Sequence, residues 1–162
     1  MVSQQTRTAA EKRPQAASAA DLMRSAQDAL REQQFGRAQE LLAKACEVEP
    51  ANDLYKMYRL WAGFRASALQ EADVATLRNL VRDKLGDEQL KGFAHYAMGH
   101  LMLVEKKDEA AEKFFRKAKE LDKNNRDAER HVRLLELRRK SSASDAAGQK
   151  IFGIEIGGPK KS

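Results

Sequence analysis

The chain has 162 residues, 42% hydrophobic, 33% charged and 6% aromatic, with 30 Lys and Arg against 24 Asp and Glu for a formal net charge of +6. That length suits one domain with tails, and no apolar run approaches the ~18 residues of a membrane-spanning helix. Cys46 is the only cysteine, which excludes an internal disulfide and a cysteine-built zinc site and points to a reduced, cytoplasmic setting.

Residues 1–18 are Ser, Gln, Thr, Ala and charge with nothing to bury, so a disordered N-terminal tail without a secretory signal is expected there. From 19 to 140 the only proline is Pro50. Ala, Leu, Glu, Lys, Arg and Gln dominate this stretch, and its apolar residues recur at three- and four-residue steps. That spacing predicts an all-α body. A first helix over 20–33 carries Leu22, Ala26, Ala29 and Leu30. Phe35-Gly36 turns the chain, and Ala38, Leu41, Leu42, Ala45 and Val48 stripe a second helix that Pro50 follows. A helix over 53–66 is apolar on nearly all sides, as a helix sandwiched between neighbours must be. After a loose connection at 67–73, Leu77, Leu80, Val81 and Leu85 mark a helix over 74–85. Residues 126–140 form the last helix of the body, with Ala128, Val132, Leu134 and Leu135. The run 141–148, rich in Ser and Ala, reads as a flexible linker. It opens a flexible tail over 141–162 that carries Ile151, Phe152, Ile154 and Ile156.

Shifting the chain by 73 residues aligns Ala26 with Gly99, Leu30 with Leu103, Ala38 with Ala111 and Leu42 with Phe115. The same shift aligns Ala45 with Ala118, Val48 with Leu121 and Asn52 with Asn125. Small residues meet small and large apolar residues meet large. In Ala38-x-x-x-Leu42-x-x-Ala45 and Ala111-x-x-x-Phe115-x-x-Ala118, the alanines lie where paired helices approach and the larger residue fills the space beside them.

These residues resemble the tetratricopeptide repeat (TPR), a helix–turn–helix unit of about 34 residues. The family's closing Pro is Pro50 in the first unit and Lys123 in the later one, and its early Trp position holds Leu22 and His95. An offset of 73 leaves room for a longer, degenerate middle unit. The resemblance implies a right-handed TPR-like solenoid of antiparallel helix pairs over 19–140, three units plus the capping helix that such stacks need.

Catalytic constellations are missing. His95 and His100 are five apart and do not share a helical face, so no metal site is expected. Gly153, Gly157 and Gly158 neither follow a strand nor open a helix, so no phosphate loop or cofactor is expected. Cys46 reads as a small buried hydrophobe. Carboxylates alternate with Lys and Arg, as on solvated helix faces. The chain reads as no enzyme.

Residues 113–140 hold eleven Lys and Arg against five acids, which accounts for the whole net charge. Arg126, Arg130 and Arg133 share a face of the last helix. They read either as a contact for an acidic partner or nucleic acid, or as a solubilising cap. No Phe, Tyr or Trp interleaves them, and nucleic acid is not expected as the partner.

In TPR stacks the first helices of successive units line a concave groove for a peptide or partner helix. Carried over by register, the resemblance points to Met23, Gln27, Leu54, Met57, Trp61, Phe93, Tyr96, Ala97 and His100, with Tyr96 and His100 the more exposed pair. It implies a protein-binding adaptor, scaffold or co-chaperone-like module whose partner is a protein or peptide and not a membrane. Similar short TPR blocks occur in bacterial regulatory proteins. The family's clamp for acidic chaperone C-termini uses Lys, Asn and Arg where Met23, Gln27, Phe93 and Ala97 stand here, so that clamp is not expected. The Ile151–Ile156 segment keeps three readings: disorder, docking back into the groove, or addition to another protein.

Overall fold

The computed structural model describes residues 16–156, without the side chains of 151–156. These residues form seven α-helices and, among the described residues, no strand. They are α1 (Ala19–Arg31), α2 (Phe35–Val48), α3 (Asp53–Arg65), α4 (Glu71–Asp83), α5 (Lys91–Val104), α6 (Asp108–Leu121) and α7 (Arg126–Ile156). The chain divides into two compact units between Val74 and Ala75, inside α4.

In the first unit α2 packs against both α1 and α3. Ser18 caps α1, its hydroxyl accepting from the Asp21 N–H at 3.1 Å. Such a cap satisfies one of the orphan donors of a helix start and contributes about 1 kcal/mol. The buried stripe of α1 is Ala19, Met23, Ala26 and Ala29, so the core face lies one residue round from the Leu22 and Leu30 side expected. Ala38, Leu42 and Ala45 of α2 are fully buried, whereas Val48 is exposed. Cys46 is only half-buried, a correction to the buried hydrophobe expected. The Arg65 guanidinium lies over the Phe35 ring at 4.8 Å and over Trp61 at 5.4 Å, joining the end of α3 to the start of α2.

In the second unit α6 packs against α5 and α7. Met102, Ala111, Phe115, Ala118, Ala128, Val132 and Leu135 make its core, with Tyr96, Leu103, Ala110 and Phe114 against it. Gly99 of α5 faces Phe115 so closely that an added Cβ would meet three ring atoms at 2.8–2.9 Å. Glycine is required there by the close approach of the helices, not by backbone conformation. Buried Glu112 accepts from Arg116, which also pairs with Glu136 of α7, and Arg139 approaches Glu112 at 3.4 Å.

Three helix ends close in one way. After α1 the Gln34 N–H donates to the Ala29 carbonyl and the Gln33 N–H to that of Leu30. Ala68 and Ser67 do the same to Gly63 and Phe64, and Lys107 and Lys106 to Met102 and Leu103. These are Schellman turns, and each puts a residue in the left-handed region: Gln33 at φ 60°, Ser67 at 56° and Lys106 at 58°. The first and third of these residues stand 73 apart, the repeat offset itself. Asn52 and Asn125 also correspond: Asn52 accepts from the Leu54 N–H at 3.1 Å, and Asn125 from the Ala128 N–H at 2.9 Å.

Two further expectations are corrected. The first turn lies at residues 32–34, because Gln33 takes the left-handed conformation, and Phe35 and Gly36 instead open α2. The stretch 141–148 is helical within α7 rather than an irregular linker. No proline intervenes before Pro159, its Ala, Gln and Lys favour helix, and the docked turns upstream have already met the cost of nucleation. Residues 1–15 and 157–162, with much of both expected tails, lie outside the described residues.

Candidate functional site

The nine residues expected to line a groove fall into two sets. Met23, Met57, Trp61, Ala97 and His100 are buried; Gln27, Leu54, Phe93 and Tyr96 are half-buried. In the first unit Gln27 hydrogen-bonds the phenol of Tyr58, which burial pushes up above its ordinary pKa. Trp61 stacks on Phe64 with ring centroids 5.6 Å apart. In the second unit Ala97 is closed off within α5, and Tyr96 and His100 turn toward α6 and α7. His100, expected to be exposed, retains 9% of its accessible surface.

The basic helix face is present on α7. Arg126, Arg130 and Arg133 are all exposed and border a depression of about 470 Å³ with Glu129, Leu134 and Leu137. Arg133 donates to Glu129 at 2.7 Å, and Lys119 lies 3.5 Å from the same carboxylate. Arg116, Lys117, Lys119, Arg133, Arg138 and Arg139 each pair with an acid. Much of the positive charge of residues 113–140 thus serves links within α6 and α7. The backbone of the apolar tail residues Ile151, Phe152, Ile154 and Ile156 is helical.

One cluster draws on residues that sequence spacing does not combine. The Tyr96 hydroxyl donates to Asp127, the second residue of α7. His100 Nε2 lies 3.5 Å and His131 Nε2 3.6 Å from the same carboxylate oxygen. Both rings rest on Phe115: His131 stacks at 4.6 Å with 10° between planes, and His100 meets the ring edge-on at 5.1 Å and 89°. The hydrogen bond from His100 holds the Asp127 carboxyl well below the usual carboxylate range; the Tyr96 hydroxyl and the charge at His131 add to it, and partial burial opposes them. Spacing along the sequence sets His95 beside His100 and does not bring His131 or Asp127 to them. His95 belongs elsewhere, its Nδ1 2.7 Å from the Lys91 carbonyl and its ring beside Phe114. The signal within reach was Asp127-x-x-x-His131, an i, i+4 pair on one helix face.

No family model matches the sequence, and no curated protein matches it. Solved structures do resemble it. The first TPR domain of Spaghetti (RPAP3), solved bound to the HSP90 peptide SRMEEVD, superposes with a TM-score of 0.51 at 19% identity, over 76% of this chain and 94% of that one. The NMR structure of the first TPR domain of human RPAP3 gives 0.52 at 19% identity, over 78% and 95%. At that identity the likeness speaks for the fold alone. With the repeated Schellman turns and the Ala-x-x-x-apolar-x-x-Ala stripes, it leads to one conclusion: the chain has the tetratricopeptide-repeat fold.

Proposed function

We propose that the chain is a non-enzymatic adaptor that holds an extended peptide or a partner helix on the first helices of its repeats. The observation that carries this reading is the fold, together with a neighbour of the same fold solved with a peptide bound. In the first unit Gln27 and Leu54, and in the second Phe93 and Tyr96, keep part of their surface accessible, whereas Met23, Met57, Trp61, Ala97 and His100 are buried. Mixed apolar and amide chemistry suits a segment with apolar anchors better than one recognised by its carboxylates. Met23, Gln27, Phe93 and Ala97 offer no cation, so we assign this chain a partner unlike the EEVD-ended peptide of the neighbour. No helix among the described residues is long and apolar enough to cross a membrane, and we place the module in the cytoplasm on the strength of its single cysteine.

Selection from a phage-displayed peptide library tests the proposal. Enriched peptides are expected to lose binding to Leu54→Glu/Phe93→Glu and to keep it for Arg130→Glu/Arg133→Glu. Peptides that behave the opposite way, and whose binding collapses with salt, would move the site to the basic face of α7 and overturn the groove.

A further inference from the structure

We propose that His100, Asp127 and His131 form a binding site for a divalent first-row transition ion of the zinc class, clasping α5 to the first turns of α7. Three observations carry the proposal independently of the groove.

The first is donor geometry. One donor atom from each residue lies within 4.8 Å of the other two, and the two nitrogen-to-oxygen separations are 3.5 and 3.6 Å. A four-coordinate ion with bonds of about 2.0–2.2 Å to N and O has edges of roughly 3.3–3.6 Å between its ligands. Two of the three edges therefore already have the length that coordination requires. The third edge, between the two imidazoles, is within 4.8 Å and would have to shorten on coordination, most readily from the side of His131, the more exposed ring.

The second is the frame. Asp127 and His131 are one turn apart on α7, and His100 reaches them from α5. Phe115 sets the plane of both imidazoles, and Tyr96 fixes the carboxylate by donating to it. A hydrogen bond to a ligating carboxylate is one of the outer contacts that metal sites use, and the packed Phe115 ring limits the angles that the two imidazoles can take.

The third is the donor set and its access. Two imidazoles with one carboxylate match zinc, cobalt, nickel or copper, whereas calcium and magnesium require more oxygen ligands than one carboxylate provides. Side-chain exposure is 11% for His100, 23% for His131 and 35% for Asp127. An ion can therefore enter from solvent, and water can complete the fourth position.

The test uses the full chain carrying Cys46→Ser, which removes the lone thiol as a competing ligand. The protein is stripped with a chelator, then titrated with zinc chloride by calorimetry and with cobalt chloride by visible absorption. One saturating step at a single equivalent is expected, with the intense visible bands of four-coordinate cobalt. Adding His131→Gln or Asp127→Asn should weaken zinc binding about tenfold or more with the far-ultraviolet dichroism unchanged. His95→Ala should bind as the parent does. The proposal is overturned if the parent shows no saturable binding, if its cobalt spectrum is six-coordinate, or if His131→Gln titrates as the parent does. The cobalt spectrum reads the donor set of the parent directly, so it decides the matter even where a variant misfolds.

Discussion

The pairs α1–α2 and α5–α6 share their turns to the hydrogen bond and divide their interior volume differently. In the first pair Ala26 stands at the position of Gly99, and Leu42 at that of Phe115. The later pair gives up a methyl group on one helix and gains a ring on the other. The backbone frame is thus set by the Schellman turns and the alanine stripe, while the contents of the interface can be exchanged if their total is kept. What the second arrangement adds is an aromatic platform. Leucine at that position gives no flat surface, whereas Phe115 has one for His100 and His131 to rest on.

Removing the platform has the largest effect expected. Phe115→Ala should cost about 3–5 kcal/mol by denaturant unfolding, from lost burial plus the cavity left behind. Gly99→Ala should destabilise by about 1–3 kcal/mol through overpacking, since its Cβ has only the Phe115 ring to displace. The double change Gly99→Ala/Phe115→Leu rebuilds the contents of the first pair and should be less unstable than the two single changes combined. Additivity would break the equivalence of the pairs. Glu112→Gln removes a buried carboxylate from two arginines and should cost about 1 kcal/mol at low salt, with a smaller loss at high salt. Its counterpart in the first pair, Gln39, is already neutral, so Gln39→Glu should bring no comparable gain. Smallest and opposite in sign is Lys106→Gly, expected to stabilise by up to about 1 kcal/mol because φ 58° favours glycine. A Lys106→Gly protein less stable than its parent would show that the left-handed turn carries no strain to relieve.

The repeat was legible because it is written in the periodic parts: Ala38, Leu42 and Ala45 against Ala111, Phe115 and Ala118 need only helical spacing to be read. The turn at Gln33 was not, since glutamine carries no sign of a left-handed backbone and nearby Gly36 offers a more obvious helix breaker. The His–Asp cluster was half legible. Asp127 and His131 share a helix face, but His100 joins them only once α5 and α7 dock on α6, and no local pattern encodes that. The groove residues show the complementary limit. Register picks out inward-pointing positions on first helices, yet Gln27 and Tyr96 are occupied by Tyr58 and Asp127 through packing that register does not specify.

The continuation of α7 changes what the apolar tail residues can reach. A 31-residue helix is about 46 Å long, and the part after Lys140 accounts for about 24 Å of that. Residues 141–150 are exposed except at Gly148, and a helix over them would act as a spacer arm with a set length rather than as a leash. A leash would hold Ile151 to Ile156 at high local concentration around the body. An arm presents them at its far end, and bringing them back to the repeats would first require melting helix that the docked turns propagate.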